Sequence, residues 1–166
     1  MARLVLVGLP GVGKTTLAAV LAEQWRCSVV DTDDLIAIAE GEPAAQYLRE
    51  HGEEEFRRCE LEALRGALAS DAVVATGAGV VTTASARALM ADQTVVWLDC
   101  DDEILAERVG PGERPLLGDD HVSALARLRK EREPWYESVA RCRVDASGTP
   151  DEVASRVQDA LASETP

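Results

Sequence analysis

At 166 residues, 46% hydrophobic and 28% charged, the sequence is that of one folded domain with room for a sheet covered on both faces. Its net charge of −13 excludes general nucleic-acid binding and attraction to an anionic membrane, because both need a basic surface. Aromatic residues make up only 4%, so the core has to be built from Val, Leu, Ile and Ala.

Met1-Ala2-Arg3 leads straight into Leu4-Val5-Leu6-Val7, a run short and apolar enough for a buried strand, with no targeting segment expected before it. Gly8-Leu9-Pro10-Gly11-Val12-Gly13-Lys14-Thr15 follows with the spacing G-x-x-x-x-G-K-[ST], and Leu17, Val20, Leu21 and Trp25 then recur at helical spacing. Strand, glycine loop and helix together form the context in which this motif cradles phosphates. The glycines let successive backbone N–H groups turn inward, and the helix N-terminus adds its unsatisfied donors. Lys14 supplies a mobile charge for β- and γ-phosphates, and Thr15 a hydroxyl where a Mg²⁺ ion would sit. The plainer alternative is a Gly-rich turn that happens to carry Lys-Thr.

A second strand is expected at Cys27–Asp31, and helices from Asp34 to about Leu68, broken near Gly41-Glu42-Pro43 and at Gly52. Ala72–Ala75 reads as a third strand ending in Thr76-Gly77-Ala78-Gly79, and a short helix follows around Ser85–Met90. Thr94–Leu98 is a fourth strand, after which Asp101 caps a helix reaching Arg108. Gly110–Pro115 is rich in helix breakers and reads as a loop. A polar helix then covers about Ser123 to Glu133 and stops near Pro134. Cys142–Asp145 is a weaker fifth strand. Thr149 as N-cap, Pro150 at the first helical position and Glu152 as capping-box partner open the last helix, which frays at Ser163–Pro166.

Short strands alternating with helices imply a parallel sheet, in which ligands bind beyond the carboxyl ends of the strands. The phosphate loop, Asp31–Asp33, Thr76–Gly79, Asp99–Asp101 and Asp145–Gly148 should therefore converge on one side. Cys27, Cys59, Cys100 and Cys142 form no C-x-x-C pair, which disfavours zinc and suits free, mostly buried thiols in a reducing cytoplasm.

Asp31 and Asp33, two residues apart on an extended segment, would point the same way. One suits a metal held through water, and the other a substrate hydroxyl. Alternatively Asp33 or Asp34 simply caps the next helix. The charge run Gly52–Arg58 reads by itself as a solvated helix face, and Gly77-Ala78-Gly79 as a place where backbone can approach a ligand closely.

Taken together, GLPGVGKTT, DTD, GEEEFR, GAG after a strand, RPLL, and an arginine two residues before Pro-Trp-Tyr resemble the shikimate kinase family from about Leu4 to Val144. The resemblance implies a three-layer α/β P-loop kinase fold, with a five-stranded parallel sheet flanked by helices and a mobile lid. It implies one kinase domain over 1–166, with a substrate-binding helical segment at about 32–60 and a lid at about 110–120. Lys14 and the amides of Gly11, Val12, Gly13, Thr15 and Thr16 would hold the ATP phosphates, and Arg108 would lie against adenine. Thr15 and, through water, Asp31 would hold Mg²⁺. Asp33 would contact the hydroxyl that accepts the phosphoryl group, and Arg57 and Arg132 would grip the acceptor's carboxylate. Gly77, Ala78 and Gly79 would line its ring, and Arg114 in the lid would close over the transferring phosphate. The implied partners are ATP and a small carboxylated acceptor, shikimate, for an enzyme acting as a monomer.

The family's turn is usually three glycines, so the methyl group of Ala78 is expected to press on the ring or shift the backbone. Asp145-Ala146-Ser147-Gly148 stands where a basic residue is common after the fifth strand, which leaves nucleotide affinity to the phosphates. Arg58 and Arg127 take solvated helix positions by default. Competing expectations are a related kinase for aminoshikimate, another cyclitol acid, gluconate or a nucleoside monophosphate, and a nucleotide switch that hydrolyses ATP without a small acceptor.

Overall fold

The computed structural model describes residues 1–109 and 120–163. Val5, on the first strand β1 (Leu4–Val7), pairs with Val74 of β3 (Ala72–Ala75) on one side and with Val95 of β4 (Val95–Asp99) on the other. All residues of these three strands are buried, and their near-continuous Val, Leu and Ala runs are what a sheet covered on both faces demands. β2 (Ser28–Asp31) and β5 (Cys142–Asp145) form the edges of an all-parallel sheet in the order β2-β3-β1-β4-β5. Their partial exposure explains why β5 is the weakest strand to read from sequence.

Helix α1 (Lys14–Trp25) packs with the last helix, α8 (Pro150–Ser163), on one face. On the other lie α4 (Glu53–Ala69), α5 (Ala84–Met90) and α7 (His121–Val139), with a 3-10 turn at Val80–Thr82 between them. Helix α6 (Asp102–Val109) rests against α7. Two short helices, α2 (Thr32–Glu40) and α3 (Ala44–His51), break at Gly41 and Gly52, which take φ of 76° and 84°. Ile36, Ala44, Tyr47 and Phe56 give α2, α3 and α4 a small core separate from the main one. Among the described residues no helix is long and apolar enough to cross a membrane.

Several sequence expectations are corrected. Helix α7 does not stop near Pro134 but runs through it to Val139. A proline inside a helix removes one hydrogen bond and costs about 3 kcal/mol. Burial of Leu125, Leu128, Arg132 and Tyr136 along one stripe, with Arg132 before the proline and Tyr136 after it, offsets that cost. Asp31 and Asp33 do not share an extended segment either. Asp31 is itself the N-cap of α2, accepting from the Asp33 N–H at 2.9 Å, and Asp33 and Asp34 lie in the first helical turn. None of the four cysteines is in a disulfide, and only Cys100 is buried, because Cys27 and Cys142 stand at the starts of the edge strands and Cys59 on the partly covered side of α4. Arg114, nearly all of the expected lid and the tail after Ser163 lie outside the described residues.

The last helix starts as expected. Thr149 N–H donates to Glu152 Oε2 at 2.8 Å, and the Glu152 N–H returns to Thr149 Oγ1 at 3.4 Å. Thr149→Ala should therefore lower unfolding stability by about 1 kcal/mol, read from urea unfolding, with no change in cooperativity.

Candidate active site

The loop after β1 folds over the C-terminal end of the sheet. Gly8, Gly11 and Gly13 take φ of 150°, 81° and 96°. At Gly11 a side chain would also run into Val109 and the Leu105 carbonyl of α6, so glycine is required there by both conformation and space. Lys14 is buried, and its Nζ donates to the carbonyls of Gly8 at 2.8 Å and Leu9 at 3.1 Å, inside the loop it helps shape. Thr15 and Thr16 open α1 on the exposed side. Thr15 Oγ1 donates to Asp31 Oδ2 at 2.6 Å, which joins the first loop to the end of β2.

Gly11, Gly13, Lys14, Thr15, Thr16 and Asp31 line a cleft of about 440 Å³ that also includes Asp33, Gly77 and Ala78. Arg108 closes its far side. Its guanidinium donates to the carbonyls of Ala146 (3.1 Å), Val12 (3.3 Å) and Gly148 (3.4 Å), which ties the phosphate loop to the turn after β5. No basic residue stands in the turn after β5, yet Arg156 of α8 reaches that turn, donating to the carbonyls of Asp145 (3.0 Å) and Ser147 (2.5 Å).

A second, smaller cavity of about 80 Å³ adjoins the first and shares Asp33, Gly77 and Ala78 with it. Arg57 and Glu60 from α4, Gly79 and Arg132 from α7 add to its polar side, and Phe56 and Leu128 to its apolar side. Arg57, Arg132 and Asp33 thus come together from three helices, separated by up to 99 positions in sequence.

The charge run at Gly52–Arg58 splits in the structure. Arg58 pairs with Glu55 at the surface, in keeping with its solvated reading. Arg57 turns inward, its side chain 13% exposed, and donates to Glu60 at 2.8 Å and Glu53 at 3.2 Å. Glu60, unassigned by sequence reasoning, is 2% exposed. Burial pushes its carboxyl above the ordinary glutamate range, while Arg57 and, more weakly, Arg132 pull it back. Burial disfavours the charge on Arg57, but Glu60 and Glu53 more than compensate and raise its pKa. Glu60 lies three residues after Arg57 on one helical face, a spacing that could have signalled it.

The same cluster explains the glycines of the turn after β3. A side chain at Gly77 would meet Glu60 Oε1 at 2.5 Å and Asp33 Oδ1 at 3.1 Å, and one at Gly79 would overlap the Arg57 guanidinium. In the sequence these glycines suit close approach by a ligand. They also make room for the protein's own charged groups, whereas the middle position, Ala78, accommodates a methyl. Thr32, buried at the start of α2, accepts from the Gly77 N–H at 3.0 Å and holds the turn's entry.

The expected convergence is met in part: Ala146 and Gly148 of the turn after β5 line the main cleft, but the carboxylates at the end of β4 do not. Asp99 is 8% exposed and bonded to Arg129 at 2.5 Å and to Arg143. With Asp101 and Asp145 it lines a separate cleft. Two arginines reach it from α7 and β5, and neither partner was readable from local sequence.

The shikimate kinase family model matches residues 10–162. The chain is 41% identical over 162 residues to shikimate kinase from Streptomyces avermitilis, covering 96% of this chain and 95% of that one. It is 39% identical over 148 residues to that of Mycobacterium avium, covering 87% and 84%. Its fold matches a structure of shikimate kinase from Acinetobacter baumannii in complex with shikimate at a TM-score of 0.91 and 30% identity, covering 98% of this chain and 94% of that one. A gluconokinase from Sinorhizobium meliloti, 19% identical at a TM-score of 0.64, shares the fold, with 98% of this chain and 92% of that one covered. With the phosphate loop, the five-stranded sheet and these relatives in agreement, the chain belongs to the shikimate kinase family.

Proposed function

We infer that this chain transfers the γ-phosphoryl group of ATP to the 3-hydroxyl of shikimate, giving shikimate 3-phosphate and ADP. The observation that carries this reading is the junction of the two cavities. A phosphate loop faces one, two arginines face the other, and Asp33 and Gly77 belong to both. An acceptor whose carboxylate meets Arg57 and Arg132 would then present its hydroxyl beside Asp33, at the phosphate end of the larger cleft. Guanidinium forks match a carboxylate bidentately, which favours a compact acid over a nucleotide base or a neutral polyol.

In this reading Lys14 and the amides of Gly11 to Thr16 hold the phosphates, Asp33 orients and deprotonates the attacking hydroxyl, and Arg108 backs the base. The Thr15 hydroxyl and Asp31 carboxylate, 2.6 Å apart at the loop's edge, are the oxygen donors a hard divalent cation takes. Mg²⁺ held there would neutralise charge on the phosphates. Arg114 is proposed to approach the transferring group from the segment after α6. Cysteines outside any disulfide fit a cytoplasmic enzyme.

The test is ADP formation by the purified protein with shikimate, quinate, gluconate and AMP offered separately. Shikimate-dependent release is expected. ADP release independent of any acceptor would favour a nucleotide switch, and stimulation by another acid alone would favour a paralogous kinase.

Three substitutions divide the site. Arg57→Ala should raise KM for shikimate about 10- to 100-fold and leave KM for ATP within about twofold, as loss of one charge-assisted contact predicts. Lys14→Ala should lower kcat by about 100-fold or more with both substrates saturating, in steady-state assays. Gly79→Ala should displace the Arg57 guanidinium and raise KM for shikimate by about tenfold or more, while circular dichroism and melting remain close to wild type.

A further inference from the structure

Pro134-Trp135-Tyr136 follows the acceptor-side arginine on α7, and its tyrosine is among the most buried side chains of the described residues. Tyr136 is 1% exposed, and its hydroxyl donates to the Ala78 carbonyl at 2.6 Å across 58 positions of sequence. The neighbouring carbonyls of the turn accept locally, Gly77 from the Val80 N–H at 3.2 Å and Gly79 from Thr82 at 2.7 and 3.0 Å. The Ala78 carbonyl instead reaches across to α7.

Arg132 stands one helical turn before Tyr136, so both project from the same face of α7. The Tyr136 ring is fixed from below by Trp97 of β4, stacked at 5.8 Å with 24° between planes, and Trp97 in turn lies under the Arg143 guanidinium at 4.3 Å. The phenol therefore has little freedom, and its bond transmits the position of α7 to the turn. Arg57, held on α4 by Glu60 and Glu53, packs against Gly79 where a side chain would be, so the position of the turn bounds where its guanidinium can lie.

We propose that Tyr136 is a positioning residue for the acceptor: its hydroxyl sets the separation between the Gly77–Gly79 turn and Arg132, and thereby the span between the two guanidinium groups that receive a carboxylate. It touches neither nucleotide nor acceptor. Burial pushes the phenol's pKa up, with Arg132 pulling the other way, so the hydroxyl remains a donor throughout the assay range. The inference rests on the acceptor reading above. Wild-type ADP release with shikimate tests that reading by itself, and if only another acid of the panel is turned over, the ratios below are measured with that acid.

Tyr136→Phe removes one oxygen and keeps the ring. The expected result is a rise of about tenfold in KM for the acceptor, with KM for ATP within about twofold and a melting temperature lowered by only a few degrees. Incorporation of 4-aminophenylalanine at 136, which restores an N–H donor at the same place, should bring the acceptor KM back towards wild type. Trp97→Phe, which thins the packing beneath an intact hydroxyl, should lower the melting temperature without altering the ratio of the two KM values. An unchanged acceptor KM in Tyr136→Phe, an equal rise for both substrates, no rescue by the amino analogue, or failure of Tyr136→Phe to fold would each overturn the assignment in favour of a purely structural hydrogen bond.

Discussion

A carboxylate withdrawn from water must be paired, and Glu60 is withdrawn almost completely. Its partner is Arg57, with Arg132 and Asp33 near enough to influence its titration. This buried group of charges sets much of the surrounding architecture. It demands a turn without side chains at positions 77 and 79, because Glu60 and Arg57 occupy the space those side chains would need. It also keeps one guanidinium partly neutralised while leaving Nε of both Arg57 and Arg132 without a hydrogen-bond partner among the described residues. An anionic ligand entering there would meet cationic donors with unfilled capacity, in a protein whose overall field opposes it.

The cluster acquires its proposed role only beside the phosphate loop. Phosphoryl transfer needs alignment and charge neutralisation more than covalent chemistry by the protein. The two cavities meet at Asp33 and Gly77, and the walls on either side come from different parts of the chain. Arg129 helps hold those parts together, bonding from α7 both to Asp99 at the end of β4 and to Asp102 at the start of α6. The helix that carries Arg108 and the helix that carries Arg132 are thus fastened at one point. Asp99 and Asp102 are engaged in that fastening, and they line the cleft beside it rather than the central one.

The N-terminal loop and the turn after β3 use glycine for different physical reasons. Gly11 and Gly13 adopt positive φ, a conformation that other residues resist. Gly77 and Gly79 are glycine for volume, so that charged side chains can lie against bare backbone. Ala78 between them is compatible with both cavities, and its carbonyl, rather than its methyl, makes the long-range contact to Tyr136.

Local pattern alone determined the strands, the phosphate loop, the helix breaks at Gly41 and Gly52 and the capping box at Thr149, since each depends on residues within a few positions of one another. Arg57, Arg132 and Asp33 are singled out not by local pattern but by the family resemblance of their flanking motifs. Tertiary structure decided what depends on burial and on distant neighbours. Helix α7 continues through Pro134 because a buried stripe outweighs one missing hydrogen bond. Asp31 is the cap because the chain turns into a helix one residue after it. Arg57 faces inward while Arg58 faces water, and Asp99 is claimed by two arginines from elsewhere. A charged residue carries no mark of its partner in the sequence, because the partner is chosen by packing, and packing brings together residues that the chain itself keeps far apart.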